Sequence, residues 1–346
     1  MSSGLDHAMF SRRQALAPEP DFDALPAWAN PAFPEGLARL SDGVWAPYST
    51  TWSIADQARR NLSGARRAGG GHMGDHFAHL FRQAMARGGL DVIPGATMLD
   101  LCCGDGRRSV LPWLDLVPGL NIVASDPASV LLATLVSNMR ADGRGDQVLP
   151  VLAEPESVPV APGSVDVVSA VSCLHEVQDP DRVLAAAAAW LRPGGQAVLL
   201  APFDGHGLLR LAYERICAEA PLWPDEPLAP GVADALRLMS ADIAARTMPD
   251  TSCAEFRKLE QKWLFSRESL EAAARMFGFR DVRFLPHNDH ETLYRDVALV
   301  QLRAVTGAPA TELPSWALAL LDSFDAALPP PVKRLLMLEG TVILQR

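Results

Sequence analysis

No apolar run in this 346-residue chain reaches the roughly 18 residues that a membrane-spanning helix needs, so no part of it is expected to cross a bilayer. An excess of basic charge is also missing. Lys and Arg number 31 against 41 Asp and Glu, a formal net charge of −10 at pH 7, which argues against a nucleic-acid or anionic-membrane surface. Cysteine is scarce: the five present are odd in number, Cys102 and Cys103 are adjacent, and no pair has C-x-x-C spacing. No disulfide framework is expected, and a reducing compartment fits. Ser11-Arg12-Arg13-Gln14 resembles the start of a twin-arginine signal, but prolines and acids follow where an apolar stretch should be, and the expected location is the cytoplasm. The rest is an ordinary globular composition, 49% hydrophobic and 21% charged, long enough for one elaborated domain or for two.

Residues 1–34 are rich in proline and acid and read as a loosely attached arm pinned by Trp28 and Phe33. From Gly36 to about Ala68 the chain reads as helical and carries Trp45, Tyr48 and Trp52. Gly69-Gly70-Gly71 breaks it, and a second helix runs from about His72 to Arg87. These aromatics either cap a site, with Tyr48 and Trp52 as substrate-side walls, or pack the helices together; both readings stand. His72, His76 and His79, with Asp75, share one helix face. They lack an H-E-x-x-H pattern and a second ligand cluster, so no metal is expected.

The chain turns on Met98-Leu-Asp-Leu-Cys-Cys-Gly-Asp-Gly-Arg-Arg-Ser109. A short apolar run holding Asp100 enters a turn at Cys102–Gly106 and then residues able to start a helix, the geometry that cradles a nucleotide-like ligand. Gly104 and Gly106 permit close backbone approach. A helix over 107–116 leads to a second strand, Asn121-Ile-Val-Ala-Ser-Asp126, whose terminal acid lies 20 residues beyond Gly106. An acid at that distance suits ribose hydroxyls. Pro127 breaks the strand. A helix over 130–140, a strand over 147–153 ending at Glu154, a buried strand over 165–172, a helix over 180–191 and a strand over 196–203 follow. The alternation predicts an α/β fold with a doubly wound, mostly parallel sheet and ligands at the carboxyl ends of its strands.

The run from about 97 to 203 resembles the core of class I S-adenosylmethionine-dependent methyltransferases. Leu-Asp-Leu-Cys-Cys-Gly-Asp-Gly is similar to the first motif of that family, Ala-Ser-Asp126 to its second, and Ala-Glu154 with Val-Pro159 to its third. Val-Asp166-Val-Val and Leu-Arg-Pro-Gly-Gly195 match the fourth and the turn before the fifth strand. The resemblance implies seven strands and S-adenosylmethionine as cofactor. It implies that Asp100, Cys102, Gly104 and Gly106 hold the methionine part, Asp126 with Pro127 the ribose, and Glu154 the adenine amino group, with Ser172 at the neighbouring strand end. Cys102 departs from the family, which has its first turn glycine there; the loop is expected to sit slightly back.

The full expectation is an arm and N-terminal helical cap over 1–90, a Rossmann-like core over 91–204, a helical insertion over 205–262, and completion of the core over 263–346. That last part includes a helical excursion at about 291–338, whose expected use is core cover or a homodimer surface. Strands six and seven are placed at 281–286 and 340–346. Candidate bases sit at strand ends: His175 and Glu176, Asp204 and His206, His287 and His290, with His287 read as substrate-side. The enclosed, acidic character favours methyl transfer to oxygen or nitrogen of a small molecule. Open alternatives are cyclisation of the cofactor's own aminobutyl chain, as in azetidine-2-carboxylate synthases, and an inactive cofactor-binding regulatory protein. Gly104-Asp-Gly106-Arg-Arg-Ser109 fits the G-x-G-x-x-G of nicotinamide dehydrogenases poorly, with Ser at the third glycine.

Overall fold

The computed structural model describes residues 25–40, 43–48, 74–247, 249–288, 290–307 and 313–346. The parallel part of its sheet grows from the apolar runs read above. These are β3 (Thr97–Leu101), β4 (Asn121–Asp126), β5 (Val148–Leu152), β6 (Val165–Val171) and β7 (Leu191–Pro202). Strands rich in Val, Leu and Ala on both faces must be covered on both sides, and they are. The helices α1 (Gly74–Gly88), α2 (Val110–Leu116), α3 (Ser129–Ala141) and α4 (Pro180–Trp190) flank them, and a separate apolar core fills each face.

Two antiparallel strands, β8 (Asp281–Pro286) and β9 (Glu339–Gln345), complete the far edge. The order is β1-β2-β5-β4-β3-β6-β7-β9-β8, where β1 (Ala38–Arg39) and β2 (Trp45–Ala46) form a short hairpin beside β5. The described sheet therefore has nine strands rather than seven. The excess arises where a helix over 36–68 was expected. Gly36 and Gly43 take left-handed backbone angles, φ +72° and +82°, that turn the chain back on itself. Trp45 buries against the β5 edge, which the hairpin closes. Residues 49–73, with Trp52 and His72, lie outside the described residues.

The chain leaves β7 into α5 (His206–Glu219), α6 (Val232–Thr247) and the short α7 (Ala254–Lys258), and returns through α8 (Arg267–Met276) to β8. Between β8 and β9 come α9 (Leu293–Thr306), α10 (Ser315–Ala327) and α11 (Pro330–Leu335). Helices α5, α6, α9 and α10 share a third apolar core, around Tyr213, Leu236, Tyr294 and Leu321. The two excursions thus pack on each other and build a wall over the carboxyl ends of the sheet. No helix of the structure is long and apolar enough to cross a membrane, among the described residues.

Candidate active site

Backbone angle marks the site before any side chain does. Among the described non-glycine residues, Cys102 (φ +53°) and Ser172 (φ +52°) take the left-handed conformation. They follow the adjacent strands β3 and β6, and both line one small cleft. Such angles cost of order 1 kcal/mol or more and concentrate at ligand sites. At position 102, where the resembled family has a glycine, this chain places a cysteine in the left-handed conformation that suits glycine. Gly104 and Gly106 continue the turn at φ +58° and +82°. A Cβ at Gly106 would stand 2.4 Å from Leu135 Cδ1 at a φ that strains any other residue, so a substitution there must displace Leu135.

Asp126 fixes this turn. It is fully buried, and its Oδ2 accepts the amide of Gly104 at 3.0 Å while Oδ1 accepts that of Ala128 at 2.8 Å. Asp100 is fully buried one strand away, accepting the Ser109 hydroxyl at 2.5 Å, so it ties β3 to the start of α2 and lines neither cavity of the site. Glu154 and Pro127 are half-buried at the ends of β5 and β4 and also lie outside both linings. No spacing in the chain signals a pairing between Cys102 and Cys173, yet their sulfurs are joined across the two strand ends with Cα atoms 5.5 Å apart. This corrects the expectation of reduced, unpaired thiols. Its reason is topological: β3 and β6 are neighbours in space and 71 residues apart in sequence.

The small cleft, about 50 Å³, is bounded by Arg108, Ser172 and Glu176, and these same residues bound a second cavity of about 730 Å³. Four imidazoles face the larger space: His76 from α1, His175 after β6, His206 at the start of α5 and His287 after β8. His206 Nδ1 lies 3.0 Å from the carbonyl oxygen of Phe203. A carbonyl only accepts, so Nδ1 carries the proton and Nε2 holds a lone pair. Burial pulls the His206 pKa down, opposed by the Phe203 bond and by Glu339. Burial, with Arg246 nearby, pushes His175 down to about 4. Both rings are therefore neutral at pH 7.

Two polar groups of this cavity were not read from the sequence. Glu339, the first residue of β9, has its Oε2 3.9 Å from His287 Nδ1, and that imidazole holds the carboxyl below its usual range. His287 Nε2 meets the Thr341 hydroxyl at 2.9 Å. Arg246, on α6, is buried with only 8% of its side chain exposed; Nη1 donates to Asp242 at 3.2 Å and Nη2 to the carbonyl of Trp263 at 3.4 Å. The returning segment 262–264 braces this arrangement. Lys262 and Trp263 amides donate to the His175 carbonyl at 2.7 and 3.2 Å, and the Leu264 amide to that of Arg246 at 3.0 Å.

Other expected residues are elsewhere. Tyr48 is 61% exposed beside Gly36, away from the cavity, because the hairpin carries it to the β5 edge. Asp204 gives its amide to Phe265, and His290 pairs with Asp296 at 3.0 Å; neither lines the cavity. His79 bonds Gln83 on an exposed face of α1, and no group of three His, Cys, Asp or Glu among the described residues could hold a metal ion.

Asp100 and His175 give opposite pH signatures. Burial, ahead of the Ser109 and Ser169 bonds that oppose it, pushes Asp100 up to about 7. The folded chain therefore keeps a proton there that the unfolded chain has lost, a contribution fully present below about pH 4 and gone as pH rises through 7. His175 behaves in reverse: the unfolded chain binds the extra proton between about pH 4 and 6.5, so stability rises with pH there. Each slope is about 1.4 kcal/mol per pH unit, and they offset one another. Asp100→Asn removes one of them. Urea unfolding of that variant should show stability climbing between about pH 5 and 6.5 more steeply than in the parent chain; equal slopes would contradict the assignment.

A family model described as "Methyltransferase domain" matches residues 73–283. The methyltransferase GfsG of Streptomyces halstedii is 30% identical over 110 residues, 32% of this chain and 39% of its own length. The ubiquinone biosynthesis O-methyltransferase of Xanthomonas campestris pv. campestris (strain B100) is 34% identical over 115 residues, 31% of this chain and 43% of its own length. The chain spans about two-fifths of the length of these curated relatives. Among solved structures, geranyl diphosphate methyltransferase in complex with SAM is matched over 86% of this chain and 92% of its own, with TM-score 0.45 and 15% identity.

Proposed function

From the premise that this chain belongs to the class I S-adenosylmethionine-dependent methyltransferase family, we propose that it methylates a hydroxyl oxygen of a small molecule held in the large cavity. The residues suit the family's cofactor. Left-handed backbone at Cys102, Gly104 and Ser172 turns the chain along the rim of a strand-end cleft, and Glu176 offers a carboxylate to a cation at the junction of cleft and cavity. When bound, S-adenosylmethionine supplies a methyl group already activated by its sulfonium charge. The chain's own task is then to align the acceptor, exclude water and take a proton.

His206 is the residue we assign to the proton. Its Phe203 bond fixes the tautomer, so Nε2 is presented as an acceptor, and Glu339 stabilises the imidazolium that forms. The neighbouring Arg246 cation disfavours an acceptor that arrives as ammonium, which favours a neutral hydroxyl. The observation that carries this reading is the shared boundary: Ser172 and Glu176 line both the cleft and the histidine-walled cavity.

Incubation with S-adenosylmethionine, alone and with a panel of phenols and alcohols, tests it. S-adenosylhomocysteine is expected only when an acceptor is present, whereas methylthioadenosine from the cofactor alone would favour cyclisation and overturn methyl transfer. His206→Gln should lower kcat by roughly 100-fold, the scale of a lost general base, with cofactor affinity by calorimetry unchanged. Full kcat in that variant would remove His206 from the role.

A further inference from the structure

One face of α6 lines the large cavity. Leu238, Met239, Asp242, Ile243 and Arg246 all line it, spaced as neighbours on one helical surface. At 1.5 Å per residue, Leu238 to Arg246 spans about 12 Å. The inner end is polar, with buried Arg246 near His175; the outer end is apolar. There Leu238 is 61% exposed, and across the opening Val305 of α9 is 44% exposed beside Ala304.

These exposed side chains contribute nothing to the helices' own packing. The core shared by α5, α6, α9 and α10 contains Leu236, Met239 and Ile243 from α6 and Leu293, Ala298 and Leu302 from α9, but neither Leu238 nor Val305. Large apolar groups converging on the mouth of a cavity, in a chain of net charge −10, mark a ligand-contacting surface rather than a solvated one. Asp242 breaks the apolar row on one side only, where its carboxylate is held by Arg246.

We infer that the acceptor is an elongated amphipathic molecule, its hydroxyl-bearing head at the histidine end and an aliphatic or aromatic body of about 12 Å laid along α6 and out between Leu238 and Val305. The inference rests on the methyltransferase reading for the head and on the cavity walls for the body. The walls alone predict chain-length selectivity: each methylene buried on the lane adds affinity until the body passes the mouth.

The test uses the full chain and a binding readout. Bound 1-anilinonaphthalene-8-sulfonate is displaced with straight-chain 1-alkanols from hexanol to dodecanol, and cofactor affinity is measured separately by calorimetry. Affinity should strengthen with length and then level off. Leu238→Asp and Val305→Asp, both at exposed positions outside the core, should weaken decanol binding by roughly tenfold and leave the cofactor affinity unchanged. Displacement independent of length, or equal decanol affinity in the variants, overturns the inference. Length-dependent binding without any methylated product would instead sink the methyltransferase reading and leave the apolar lane standing.

Discussion

Lys333→Met is expected to cost about 3–5 kcal/mol of folding stability, because it leaves a buried carboxylate without its cation. Lys333, on α11, is 1% exposed, and its Nζ donates to Asp325 Oδ1 at 2.6 Å and to the carbonyls of His290 and Glu291. Asp325 in turn accepts the amides of Tyr294 and Arg295 at 3.1 and 3.0 Å. Those amides belong to the first turn of α9, whose own N-cap residue, Thr292, makes no capping bond from its side chain. A carboxylate borrowed from α10 therefore satisfies donors that the local sequence leaves open, where it also meets the positive end of the helix dipole. Removing the lysine exposes that carboxylate to an apolar surrounding with only the amides as compensation.

Denaturant unfolding reads the result directly. The double variant Lys333→Met with Asp325→Leu should recover part of the loss, since no charge is then stranded, but not the uncapped α9 terminus. A single variant that loses less than about 1 kcal/mol would show that the pair contributes little beyond an ordinary surface contact. The pair also bears on function, because α9 carries Gln301, Ala304 and Val305 into the cavity wall.

That pair shows where sequence reading stops. The helices of the excursion are legible as apolar periodicity, and β3 to β7 as near-continuous Val and Leu runs. The Lys333–Asp325 contact crosses a break at Pro329 and Pro330, and no period reports it. The turn at 102–106 with Asp126 is legible because strand, glycines and acid keep a fixed spacing along one βαβ unit. His175, His206 and His287 are legible as histidines that follow strands. Glu339 is not, because β9 runs antiparallel: its first residue, not its last, sits on the cavity rim beside Pro202. Nor is Arg246, because a basic residue in the last turn of a helix is ordinary, and only the returning segment at Trp263 turns it into the cavity. Trp45 and Tyr48 misled because aromatic spacing cannot tell a helix from a glycine-turned hairpin.

Asp126→Ala should weaken S-adenosylmethionine binding by roughly 100-fold or more. Two charge-assisted hydrogen bonds are lost at once, to Gly104 and to Ala128, each worth about 1.5–3 kcal/mol. The Gly104 amide sits in a turn held at left-handed angles, which collapses toward commoner conformations once its anchor is gone. Asp126 is fully buried and lines neither cavity, so the loss reaches the ligand through the turn that it holds. Asp126→Asn separates the contributions: its side-chain carbonyl accepts one amide but not both, and an intermediate affinity is expected. Calorimetry with S-adenosylmethionine and with S-adenosylhomocysteine should show the same loss for both ligands, since the methyl group is remote from the ribose and the turn. An alanine variant that melts like the parent and binds either ligand within about threefold of it would mean that the turn stands without Asp126, and that the acid is not where the chain holds its cofactor.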